Sequence, residues 1–520
     1  VIHTMSLEEK IGQLFMFGFQ GPEATEEIIE LIENHYIGGI CYFSRNLENP
    51  KQVYTLSTSL QSLVKNNIPL FLSLDQEGGM IVRIEDGVTH SPGNMALAAT
   101  NNPNYVYKMA QVVGSELRMI GINMNLAPTI DVNNNPLNPV IGVRSFGENP
   151  SFVANLGVEA IRGYQSANIA AVAKHFPGHG DTEIDSHLGL PMVNHPLDRI
   201  HAVELLPFKQ AVENGVDSIM ISHVCFPAIE ENVPATLSSK MVNGLLRNQF
   251  NYQGVVMTDC MEMKAVENHY GVEEATLLAI EAGVDIVLFS HCHNKQKRAI
   301  SAVISAVKSG RLTESRIDES IQRILHLKEK RKLQKYHVFN EDILASTDHI
   351  VLAQQISDES ITLVKYDPSL LPLDPKKRTV IMWPKFNITS DIDEHVKKQL
   401  TLGDILKSQF TQVEEAELNS SDLEELIRKA SYAEQLIIGT YNASINESQK
   451  KLVQSIIAGS ESKTIICALR NPYDLAVFPH VSTFIAAYEN KPNAIRSIAK
   501  VLTGEIIAQG TLPVNVSTGA

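Results

Sequence analysis

Cysteine is scarce in this chain: Cys41, Cys225, Cys260, Cys292 and Cys467 are scattered over 520 positions. They are odd in number and form neither a CxxC pair nor a Cys/His zinc spacing, which argues against a disulfide framework. Reduced thiols fit a cytoplasmic chain. The chain starts at Val1 and not at Met, and a leader removed ahead of Val1 would make it secreted or cell-surface instead. No apolar run reaches the roughly 20 residues that span a bilayer, so no membrane span is expected. Positive charge is in deficit, 44 Lys and Arg against 59 Asp and Glu, for a net charge of −15. That balance disfavours a general polyanion binder, and no nucleic-acid partner is expected. Low-complexity tracts and solenoid repeats are absent.

What is present is an ordinary globular composition, 44% hydrophobic and 20% charged. Short apolar, β-branched runs alternate with amphipathic stretches. Strands are expected near Gln13–Phe19, Gly38–Phe43, Leu70–Asp75, Asn123–Thr129, Ala170–His175, Ser218–His223, Gly254–Asp259 and Asp285–Ser290. Helical patterns lie between them, for example Lys51–Asn66, Ser151–Ala167 and Arg199–Asn214. Single-helix crossovers force parallel pairing, and eight such units imply a (β/α)8 barrel. A second, shorter α/β series follows, with strands near Ile361–Val364, Thr379–Trp383, Leu436–Tyr441, Thr464–Leu469 and Thr483–Ala487. The expected fold is therefore an N-terminal TIM-type barrel over 1–335, a linker over 336–360, and a smaller α/β/α sandwich over 361–520.

Catalytic groups of a parallel barrel sit where strands end. Asp75, Lys174, His175, Ser222, His223 and Asp259 fall at such ends and would converge on one mouth. Any barrel must finish its strands with polar residues, but the repetition weakens that bland reading. The segment from Lys174 to His187 holds three histidines, with Pro177, Gly178 and Gly180 to bend it. Asp185 precedes His187 by two residues, and contact between them would fix the imidazole tautomer and tune a proton donor and acceptor near neutral pH. A solvated surface turn and a metal site of His175, His179, Asp181 and His187 are the competing readings, although the spacing matches no standard zinc pattern. Asp259 would serve as a nucleophile or as a helix cap. Arg83 and Arg144 would grip ligand hydroxyls, or Arg83 would pair with Glu77 or Asp86.

Together, Leu74-Asp-Gln-Glu-Gly-Gly79, Arg144-Ser-Phe-Gly147, Lys174-His175 with Gly178-His-Gly180, Asp185-Ser-His187 and Thr258-Asp259 resemble glycoside hydrolase family 3, in its bacterial β-N-acetylglucosaminidase branch. The resemblance implies Asp259 as nucleophile, His187 as general acid/base and Asp185 as its partner. It implies that Asp75, Arg83, Arg144, Lys174 and His175 hold the sugar. The implied reaction is release of terminal β-linked N-acetylglucosamine, with retention, from peptidoglycan fragments or chitin-type oligosaccharides. A β-N-acetylglucosaminide phosphorylase and a broader β-glucosidase are the alternatives. A small-molecule glycan is the expected partner, with no cofactor and no metal, in a monomer or homodimer. One departure is Cys260, where the family commonly has another acidic residue after the nucleophile.

Overall fold

A computed structural model describes residues 1–182, 190–384 and 400–516. Eight strands form the first sheet: β1 (Phe15–Phe17), β2 (Gly39–Cys41), β3 (Phe71–Leu74), β4 (Met124–Asn125), β5 (Ala170–Phe176), β6 (Ser218–Ile221), β7 (Val255–Thr258) and β8 (Val287–Phe289). Their order is β7-β6-β5-β4-β3-β2-β1-β8, with every pair parallel. A parallel bridge between Met257 and Ile286 closes the ring between β7 and β8. All eight strands are buried throughout, as expected for strands covered by helices outside and packed side chains inside.

The helices of the outer ring begin where the sequence supplies caps. Asn49, Asn102 and Asn149 each accept a backbone N–H two or three residues on, and each is followed by a proline at the first helical position. The Asn side chain satisfies an otherwise unpaired donor, and proline has none to satisfy. Two expectations need correction. The stretch read as one helix over Arg199–Asn214 is two, Leu197–Ala202 and Leu206–Glu213, and Pro207 falls in the first turn of the second. The fourth strand is shorter than Asn123–Thr129: the ladder stops at Asn125 and resumes only as a bridge from Thr129 to Lys174.

Among the described residues the second sheet has six strands: β9 (Thr362–Lys365), β10 (Thr379–Pro384), β11 (Val413–Leu418), β12 (Gln435–Thr440), β13 (Thr464–Ala468) and β14 (Thr483–Ala486). The order is β11-β10-β12-β13-β14-β9, parallel except where β9 pairs antiparallel with β14. β11 was not expected from sequence. Its Val-Glu-Glu-Ala-Glu-Leu run is only half-buried, as an edge strand allows, and its charges discourage pairing with another chain.

Between the sheets, within 336–360, lies the helix Thr347–Ser360. Its Ala353 and Ile356 join the barrel's apolar cluster. Its Asp358 accepts from Ser497 (2.6 Å) and pairs with Lys500 (2.8 Å) in the second domain.

Candidate active site

Six of the expected site residues lie at the C-terminal mouth of the barrel. Asp75 follows β3 directly, and Arg83 lies on the same loop. Arg144 ends the short turn Gly142–Arg144 after β4. Lys174 and His175 lie within β5. Asp259 follows β7.

The first four of these form one ionic network together with Glu77. Lys174 Nζ bridges Asp75 Oδ1 and Glu77 Oε2, each at 2.9 Å. Arg144 grips Glu77 with two parallel bonds, Nε to Oε1 at 3.0 Å and a terminal nitrogen to Oε2 at 2.9 Å. Arg83 reaches Asp75 Oδ2 at 3.5 Å, so among the described residues its acidic partner is Asp75, and not Glu77 or Asp86. The side chains of Glu77 and Lys174 are almost wholly enclosed, while that of Asp75 keeps 16% of its surface open. Burial works to raise the Glu77 carboxyl, but the Arg144 and Lys174 charges overcome it and hold the group well below the usual range. Burial likewise opposes the Lys174 ammonium, and Asp75 and Glu77 more than restore it. Glu77, Arg144 and Lys174 are thus held in their charged states, and Asp75 is the member of the network that faces outward.

A second set is organised by Asp131, a fully buried carboxylate. It accepts from His175 Nδ1 at 2.7 Å and from the His179 backbone N–H at 2.7 Å. Arg144 lies 3.3 Å from His175 Nε2. A guanidinium can only donate, so Nε2 carries the lone pair and Nδ1 carries the proton given to Asp131. The orientation and tautomer of His175 are therefore both fixed. Asp131 is held below the ordinary carboxyl range because His175 and the backbone donor outweigh its burial. His179 is pushed down to about 4, chiefly by burial and then by His175, and the charge of Asp259 is among the groups that act on it. His179 Nδ1 also lies 2.6 Å from Thr182 Oγ1. Gly180 is required here: a Cβ would fall 1.7 Å from the Val132 carbonyl oxygen. Asp131 was not singled out from sequence, although it follows an apolar run (Thr129-Ile130) as Asp75 and Asp259 do.

Asp259 is partly exposed. Its Oδ1 accepts the Cys260 backbone N–H at 2.9 Å, and its own N–H donates to the Ile221 carbonyl at 2.9 Å. Burial, then the Glu262 charge, pushes the Cys260 thiol up to about 12, so it stays a thiol at neutral pH and is no nucleophile. Asp185 and His187 lie outside the described residues. On one side of their segment, Asp181 meets His195 at 2.5 Å and Arg199 at 3.6 Å. Ser222 and His223, left unassigned by sequence, are buried at the end of β6.

The second domain reaches this mouth. Met80, three residues after Glu77, is buried in the second domain's apolar cluster with Ile381, Leu406 and Ile498. Glu489 accepts from the Gly93 backbone at 3.0 Å and lies 3.0 Å from His90 Nε2. Lys491 pairs with Glu85. The loop bearing Glu77 and Arg83 is therefore clasped from the other domain, a long-range contact with no local sequence signal.

Residues 6–327 match the family model described as glycosyl hydrolase family 3 N-terminal domain. A curated relative named beta-hexosaminidase A, from Pseudoalteromonas piscicida, is 31% identical over 94% of this chain and 91% of its own length. A beta-hexosaminidase of Nitrosomonas eutropha is 30% identical over 61% of this chain and 92% of its own length. A solved family 3 beta-N-acetylglucosaminidase from Paenibacillus sp. FPU-7 is 44% identical, covers 99% of this chain and 100% of its own, and superposes with a TM-score of 0.96. A closed parallel barrel, strand-end carboxylates at its mouth and a match of this extent lead to one conclusion: the chain belongs to glycosyl hydrolase family 3 and is a glycoside hydrolase.

Proposed function

We propose that this enzyme is a retaining exo-β-N-acetylglucosaminidase that releases terminal β-linked N-acetylglucosamine from peptidoglycan fragments or chitin-type oligosaccharides. The observation that carries the reading is the contrast among the mouth's carboxylates. Glu77 and Asp131 are buried and fully engaged with cations or N–H donors, whereas Asp75 and Asp259 keep open surface. An exo-acting site needs one carboxylate to hold the terminal sugar and one to attack it.

Asp75, held by Lys174 and Arg83, is the hydroxyl acceptor. Lys174 and Arg83 donate to neighbouring sugar oxygens, with His175 and Arg144 as the adjoining wall. Asp259 attacks the anomeric carbon, and the glycosidic C–O bond breaks as a glycosyl ester forms. His187, partnered by Asp185, gives its proton to the departing oxygen and then takes one from the water that hydrolyses the ester. The acetamido preference is supported by the similar proteins named above, which are β-hexosaminidases and β-N-acetylglucosaminidases.

The test compares a chromogenic β-N-acetylglucosaminide with the matching β-glucoside, using wild type and Asp259→Asn. Preference for the acetamido sugar, lost in the variant, is expected. Equal turnover of the glucoside would make the enzyme a broader β-glucosidase. Release of a sugar phosphate when inorganic phosphate is added would make it a phosphorylase. An undiminished Asp259→Asn enzyme would sink the covalent route.

A further inference from the structure

We infer that His223 is a positioning residue for the nucleophile: it fixes the backbone from which Asp259 is presented. The inference rests on the reading of Asp259 as nucleophile given above.

His223 stands two residues past the end of β6 and is wholly buried. Its Nε2 lies 2.8 Å from the carbonyl oxygen of Cys260, the residue after Asp259. A carbonyl can only accept, so Nε2 carries a proton. Its Nδ1 lies 2.8 Å from the hydroxyl of Thr236, which is also fully buried. Thr236 is itself held in place, because the neighbouring Ala235 N–H donates to the Val224 carbonyl at 2.9 Å. The ring is thus oriented from one side and delivers a directed donor on the other.

That donor acts at a particular peptide. The Cys260 carbonyl accepts from His223 at 2.8 Å and, at a longer 3.3 Å, from the Met263 N–H, while the N–H of the same peptide unit, that of Met261, goes to the Leu288 carbonyl at 2.9 Å. The peptide after Cys260 is therefore pinned between β6 on one side and β8 on the other. One residue earlier, the Asp259 N–H is held by Ile221, and the Cys260 N–H is donated to Asp259 Oδ1. With both backbone polar groups of Cys260 committed, the direction of its N–H is set, and with it the direction of the carboxylate that accepts it. A nucleophile must meet the anomeric carbon in line, and small misplacements cost rate without weakening sugar binding. A ring that served packing alone would need no donor aimed at this carbonyl.

The experiment pairs His223→Asn with His223→Gln. The glutamine amide reaches about as far as imidazole Nε2 and keeps the bond to Cys260; the asparagine amide ends near the place of Nδ1 and keeps only Thr236. With the chromogenic β-N-acetylglucosaminide, His223→Asn is expected to lose about tenfold or more in kcat, the scale of one buried hydrogen bond. The inhibition constant of free N-acetylglucosamine should stay within about twofold, and His223→Gln should recover most of kcat. Thr236→Val, which removes only the partner of Nδ1, should shift kcat the same way by a smaller factor, and it carries the test if His223→Asn does not fold. Wild-type kcat in the folded variants, or losses that track the fall in Tm in both His223 variants alike, would overturn the inference. Asp259→Asn is measured alongside. If it is inactive while His223→Asn is not impaired, only the positioning role fails; if it remains active, the nucleophile reading fails and takes this inference with it.

Discussion

Arg144 and Glu77 meet as a two-pronged ion pair, with bonds of 3.0 and 2.9 Å, and both side chains are almost completely removed from solvent. Lys174 shares the same carboxylate at 2.9 Å. Removing the acid leaves two buried cations facing each other. Breaking a buried pair by deleting one partner costs about 3–5 kcal/mol, mostly through the charge left behind. Glu77→Gln keeps the shape and removes the charge, so urea unfolding should report a loss of that size, with hydrolysis falling because Lys174 and Arg144 no longer hold their positions. Unchanged stability would mean that Asp75 alone neutralises Lys174.

Asp131 makes a different prediction, about geometry more than charge. It receives the Nδ1 proton of His175 and the His179 N–H. Asp131→Asn offers His175 an amide in place of an anion and removes a charge-assisted bond worth about 1.5–3 kcal/mol. If His175 lines the sugar, the affinity for N-acetylglucosamine should weaken by roughly ten- to a hundredfold. Titration calorimetry with the sugar would check this, and equal affinity would remove His175 from the binding wall.

The barrel was legible because its signal is local and repeated: apolar runs of strand length, each followed by a polar residue. The same rule reached Asp75, Lys174, His175 and Asp259. It would have reached Asp131 as well, but the run before it is interrupted by Pro128 and only Met124–Asn125 forms a strand. β11 escaped because an edge strand with three glutamates carries no apolar pattern. The pairing of Glu77 with Arg144, 67 residues away, has no sequence signal at all, and neither has the burial of Met80 in the other domain. The helix Thr347–Ser360 sits in a stretch whose charged, broken approach reads as a linker, yet Ser346 caps it and two of its apolar residues join the barrel cluster.

His179 gives the acid side of the stability profile a specific shape. Its pKa is pushed from about 6.5 to about 4, so between those values the unfolded chain binds a proton that the folded one refuses. Stability therefore falls as pH drops from about 6.5 towards 4 and levels off for this group below that. A shift of this size corresponds to something on the order of 3 kcal/mol. The carboxyls of Glu77 and Asp131 are depressed, so their contribution is lost only below the ordinary carboxyl range, at lower pH. Tm measured from pH 7 to pH 4.5 should decline in wild type and decline less in His179→Asn. Parallel curves would show that His179 takes up its proton freely in the folded state.

The clasp between domains separates stability from sugar binding. Met80 lies in the second domain's core, but its chain neighbours Glu77 and Arg83 belong to the mouth. Met80→Ala opens a cavity that costs about 2–5 kcal/mol. Leu406→Ala, at a fully buried position of the same cluster, should cost a similar amount. The two should differ at the active site. Freed from its socket, the loop after β3 no longer holds Glu77 against Arg144 and Lys174, so Met80→Ala should also weaken inhibition by N-acetylglucosamine. Leu406→Ala leaves that loop docked and should weaken stability alone. If Met80→Ala and Leu406→Ala bind the sugar equally well, the second domain steadies the barrel without setting the geometry of its mouth.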